Sequence, residues 1–102
     1  MPVNSKQMMK RNKFNKYFDI VSEAFGLDIL TDTRKRKFSE ARYVLYYICR
    51  ENNMRLEEIV EFLEEKGYKV SHTNVVHGHR NVSAILDSGR DEELRQLIDS
   101  VL

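Results

Sequence analysis

After position 2 the chain has no proline, and only four glycines interrupt its 102 residues. Proline removes a backbone donor, and glycine loses the most conformational entropy on ordering, so a chain this poor in both favours helix. Gly26, Gly67 and Gly89 each fall where an amphipathic period ends. The spacing therefore predicts an all-α domain of about five helices, with residues 1–12 as a flexible basic arm and residues 13–102 as the folded unit.

The clearest two-faced stretch runs Ser71-His72-Thr73-Asn74-Val75-Val76-His77-Gly78-His79-Arg80-Asn81-Val82. At about 100° per residue, Val75, Val82 and Leu86 share one side of a helix. Thr73, His77, Arg80 and Ala84 fall on the other. A helix with apolar residues on one side and small or hydrogen-bonding residues on the other suits a DNA groove.

Four more helical periods complete the chain. Phe14, Phe18, Val21 and Phe25 form the first, followed by an apolar plug of Leu27, Ile29 and Leu30. Ser39 is positioned to cap a second, reaching about Asn52, with Phe38, Ala41, Leu45, Ile48 and Cys49 as its stripe and Tyr43, Tyr46 and Tyr47 on its flanks. Asn52-Asn53 marks a turn. A third helix starts near Arg55, burying Leu56, Ile59, Val60 and Leu63 opposite five glutamates. Gly67 stops it, and Ser71 is a good N-cap for the two-faced stretch, which gives a helix-turn-helix pattern. Leu94, Leu97, Ile98 and Val101 make a last helix that packs back as a lid.

The formal net charge is only +1, but the charges are segregated. Residues 1–16 carry five Lys/Arg and no acid, and Arg34-Lys35-Arg36-Lys37 is an unbroken basic run before the second helix. Residues 51–65 carry six glutamates against one arginine, so that helix should point away from phosphate. One cysteine excludes an internal disulfide and fits a reducing, cytoplasmic setting. No apolar run reaches the length of a membrane span.

Catalytic and cofactor patterns are missing. His72 and His79 lie about two helical turns apart and His77 points elsewhere, so the three cannot share a zinc ion. There is no glycine-rich phosphate loop for a nucleotide, and no nucleophile–base pairing. The expectation is a non-enzymatic protein without cofactor.

Ser71-His72-Thr73-Asn74-Val75-Val76-His77 resembles the Asp-His-Thr-Thr-Val-Leu-His signature of the C-terminal DNA-binding domain of the bacterial replication initiator DnaA. The basic run, the helix from Ala41-Arg42 to Arg50-Glu51, and Leu56-Glu57-Glu58-Ile59 precede it in the family's order, so the likeness spans about residues 17–86. The resemblance implies double-stranded DNA as partner. Arg34 would enter the minor groove with Lys35 and Arg36 beside it, and Arg42, Arg50 and Arg55 would touch phosphates. His72, Thr73 and Asn74 would meet bases in the major groove, with Ser71 at the helix start and His77 and Arg80 further along the same face. Ser71 replaces the family's Asp and Asn74 its second Thr, which removes a carboxylate that can accept from cytosine and adds a side chain that can pair with adenine. The implied role is a stand-alone DNA-binding domain, nucleoid-associated, regulating replication or transcription. The alternative is a protein-interaction module acting on a replication or transcription partner through the acidic helix.

Overall fold

A computed structural model describes residues 5–102, with side chains from Met8 onward. These residues form five helices and no strand: α1 (Ser5–Phe25), α2 (Arg36–Glu51), α3 (Leu56–Glu65), α4 (His72–Ser88) and α5 (Glu92–Val101). The fold is all-α, as the scarcity of breakers predicts.

α2 is the hub. It packs against α4 and α1, and more lightly against α3 and α5. A helix with neighbours on several sides cannot confine burial to one stripe. Accordingly Val44 and Tyr46 are buried together with the expected Ala41, Leu45, Ile48 and Cys49, while Phe38 is only half-buried. Burying each large side chain of this kind stabilises the fold by about 1.5–3 kcal/mol. Tyr46, read from sequence as a flank residue, is fully enclosed.

α2 and α4 approach closely because of Gly78. A Cβ at that position would lie 2.7 Å from Tyr43 Cδ1 and 2.8 Å from Tyr46 Cδ2, well inside contact distance. Around this crossing α4 buries Val75, Val82 and Leu86. The side of α4 that the sequence assigns to the core is the side that is buried.

The connection from α3 to α4 is built from local hydrogen bonds. Gly67 takes a φ of +84°, its N–H donates to the Glu64 carbonyl at 2.9 Å, and the Tyr68 N–H donates to the Leu63 carbonyl at 3.0 Å. This left-handed turn satisfies carbonyls that the helix end would otherwise leave free. Four residues beyond Gly67, Ser71 Oγ accepts from the Asn74 N–H at 3.1 Å and caps α4.

The expected flexible arm over residues 1–12 is corrected for most of its length. Residues 5–12 are the opening turns of α1, and residues 1–4 lie outside the described residues. This stretch has little apolar surface to bury, so no hydrophobic period marks it. Its contacts to α3 are made by charged side chains: Lys10 Nζ lies 2.9 Å from Glu58 Oε2, and Arg11 Nη2 lies 2.9 Å from Glu65 Oε1. At the other end α5 buries Leu94 and Ile98, and Arg95 Nη2 donates to the Leu86 carbonyl at 2.7 Å, closing the bundle as the expected lid. No helix among the described residues is long and apolar enough to cross a membrane.

Candidate nucleic-acid interface

The start of α4 presents a run of accessible hydrogen-bonding side chains. Ser71, His72 and Thr73 are exposed and Asn74 is half-buried. Ser71 has a local task, since its Oγ accepts from Asn74, yet its hydroxyl proton stays free to donate. One turn further, His77 and Arg80 are exposed on the same side. The His77 ring stands edge-on to Tyr43, with centroids 5.6 Å apart. His79 turns back instead. It stacks on Tyr47 at 5.1 Å, and its Nε2 lies 3.5 Å from Glu51 Oε1. Arg80 shares a cleft of about 300 Å³ with Arg50, Glu51, Val76 and His79, so two of the arginines singled out in the sequence meet at one place.

The basic run is only partly a loop. α2 begins at Arg36, a turn before the expected cap at Ser39, so Arg36 and Lys37 belong to its first turn. The expected minor-groove loop over residues 34–37 therefore shortens to Arg34 and Lys35. Arg36 Nε pairs with Glu40 Oε1 at 2.9 Å along the helix, whereas Arg34, Lys35 and Lys37 are exposed and form no ion pair among the described residues. The N-cap residue, Lys35, offers no side-chain hydrogen bond to the helix, and no acid lies in the first turn. Cations here oppose the helix macrodipole. Free N–H groups and four clustered cations make this end of α2 strongly attractive to an anion, at the expense of helix stability. Local conflicts of this kind collect at functional sites.

Arg42 is a correction. The resemblance assigns it to phosphate, but it is buried, 7% exposed, beneath the loop before α2. Its Nη1 donates to the carbonyls of Ile29 (2.9 Å) and Thr31 (3.1 Å), and its Nη2 donates to that of Thr33 (2.9 Å). The guanidinium carbon also lies 5.3 Å from the centroid of the Tyr68 ring. A group so enclosed has no open side for a phosphate. Arg50 and Arg55 do remain exposed, although Arg50 Nη1 donates to the Met54 carbonyl at 2.8 Å.

The acidic side of α3 is partly engaged within the molecule. Glu58 and Glu65 are tied to α1, leaving Glu57, Glu61 and Glu64 facing outward. Burial pushes the Glu58 carboxyl up, but the Arg55 N–H and the Lys10 ammonium outweigh it and hold it below the usual range. Cys49 is enclosed in the core, and burial pushes its thiol up, away from the reactive thiolate. No group of three His, Cys, Asp or Glu side chains among the described residues is gathered to hold a metal ion.

No protein-family model, curated protein or solved structure matches the chain.

Two positions carried more than their sequence reading allowed, and both left a trace. Arg42 sits three residues before Leu45 and seven before Cys49, on the edge of the α2 stripe, where a solvated cation is out of place. Gly78 sits three residues after Val75 and four before Val82, in the middle of the apolar side of α4. A glycine there signals a neighbouring helix too close for a side chain.

Proposed function

We propose that this domain binds double-stranded DNA, with α3, its glycine turn and α4 acting as a helix-turn-helix and the start of α4 lying in the major groove. The observation that carries this reading is the division of α4. Val75, Gly78, Val82 and Leu86 are buried, while His72, Thr73, His77 and Arg80 stand exposed along the outer side. A major groove admits one helix and presents donors, acceptors and thymine methyls to such side chains. Thr73 can meet a thymine methyl, and Asn74 can bond adenine once its side chain turns outward. Arg34 and Lys35, beside the uncapped start of α2, serve the phosphate backbone and the adjoining minor groove. Arg50, Arg55 and Arg80 add phosphate contacts. The outward glutamates of α3 turn that helix away from the duplex. Among roles for such a domain, the resemblance to the DnaA C-terminal domain favours regulation of replication or transcription.

The test is an equilibrium titration of the full chain with duplex DNA over a range of salt. Phosphate contacts make log K fall with log salt by about 0.9 per phosphate neutralised. A slope corresponding to several phosphates, reduced by Arg34→Ala, is the expected result. Binding that is absent at low salt, or flat with salt, would contradict it.

A further inference from the structure

We infer that Arg42 is a positioning residue that holds the basic loop and the start of α4 in one fixed relation, so that the two read DNA as a unit. This inference rests on the DNA reading above.

The loop is wrapped around the guanidinium. Alternate carbonyls, those of Ile29, Thr31 and Thr33, turn inward to accept from Nη1 and Nη2 at 2.9–3.1 Å. Bonds within the loop keep it in that shape. Asp28 Oδ1 accepts from the Leu30 N–H, the Asp28 carbonyl accepts from Thr31 Oγ1 at 2.8 Å, and Thr33 Oγ1 accepts from the Lys35 N–H at 3.2 Å. Arg34 therefore sits between a residue whose carbonyl Arg42 holds and Lys35, the cap of α2. Its backbone is placed even though its side chain is free.

The same guanidinium lies over the Tyr68 ring, its carbon 5.3 Å from the centroid. Tyr68 is fixed in turn, because its N–H closes the end of α3, and it stands three residues before Ser71, the cap of α4. One planar group thus touches both the loop that carries Arg34 and the turn that leads into Thr73. The two segments are separated by more than thirty residues of sequence, and Arg42 bridges them. Among the described residues no carboxylate pairs with Arg42, so carbonyl dipoles compensate it and its positive charge adds to that of the loop. Lysine cannot replace it. An ammonium is a point charge that does not present a planar fork of donors to three carbonyls while lying against a ring.

The experiment is a double-mutant cycle on the full chain, using a preferred duplex at fixed salt, with amide hydrogen exchange on the free protein. In the parent background Arg34→Ala is expected to weaken binding about tenfold. In the Arg42→Lys background the same change is expected to cost less than about twofold, because the loop no longer delivers Arg34 to its place. Exchange of the 31–35 amides in free Arg42→Lys should quicken while the amides of 45–49 stay protected. If Arg42→Lys does not fold, Tyr68→Leu takes its place in the cycle: it keeps the three carbonyl bonds and removes the link to the turn, so the cost of Arg34→Ala should again fall below about twofold while exchange of the 31–35 amides stays as in the parent. An equal tenfold loss in both backgrounds, or unchanged loop exchange in a folded Arg42→Lys, would overturn the positioning role while leaving DNA binding intact. A parent protein that binds no duplex at all would overturn the DNA reading, and this inference with it.

Discussion

The two most heavily charged regions of this molecule treat their charges in opposite ways. Along the seam between α1 and α3, cations meet anions. Lys10 reaches Glu58, and Arg11 reaches Glu65 in a two-bond fork at 3.0 and 2.9 Å. At the start of α2, Arg34, Lys35 and Lys37 are left exposed beside an uncapped helix end, and Arg42 below them is satisfied by carbonyls alone. The seam resembles ordinary surface electrostatics, where each pair contributes little and both partners are spoken for. In the second region Arg36 alone of the basic run is paired, with Glu40, and Arg34, Lys35 and Lys37 meet no carboxylate among the described residues. The net charge of +1 conceals this, because the seam cancels internally and acids elsewhere in the chain, among them Glu57, Glu61 and Glu64, offset the loop in the total.

The sharpest way to break that contrast is to remove Arg42. Arg42→Met should lower unfolding stability by about 3 kcal/mol or more, since three carbonyls lose a charged donor at once. A chemical-denaturation curve checks it, and a loss under about 1 kcal/mol would mean the loop holds itself. Next is Gly78→Val, which pushes a side chain into the Tyr43 and Tyr46 rings. It should cost about 1–3 kcal/mol by the same measurement and also disturb DNA binding through α4. Third, Thr73→Ala and Asn74→Ala should each cost about 1–3 kcal/mol of binding on a preferred duplex and little on random DNA. Equal losses on both would leave these residues no part in base reading.

The smallest effect belongs to the seam. The Glu58 carboxyl is held below its usual range in the folded chain, so ionised Glu58 adds stability that is fully present above the ordinary glutamate value of 4.5. That contribution is lost as pH falls further, through the lowered folded value. Stability measured from neutral pH down through this window should fall less for Glu58→Gln than for the parent chain. Identical profiles would show that the Lys10 and Arg55 contacts have no weight in solution.

The sequence made the helices legible because local rules agree in most of them. Gly67 and Gly89 stop α3 and α4, Ser71 caps α4 by its hydroxyl, and Val75, Val82 and Leu86 lie on the buried side at helical spacing. What it concealed depends on contacts between distant segments. The early part of α1 has no apolar period to announce it, and its charged contacts are to partners 48 and 54 residues away. The start of α2 at Arg36 has no cap to mark it, whereas Ser39 matches a cap by type alone. The role of Arg42 was hidden for a related reason. An arginine that the family likeness assigns to phosphate keeps that reading until the chain folds the preceding loop over it. Thr73, His77 and Arg80, by contrast, fall on the outer side of α4 by spacing alone, and there they are exposed.

The most direct measurement is selection of the full chain against a random duplex library at fixed salt, with the Thr73→Ala variant in parallel. The expected result is enrichment of one short sequence by the parent chain, with that preference blunted by Thr73→Ala. Retention of no duplex above background, or the same enrichment by both chains, would contradict base reading by α4.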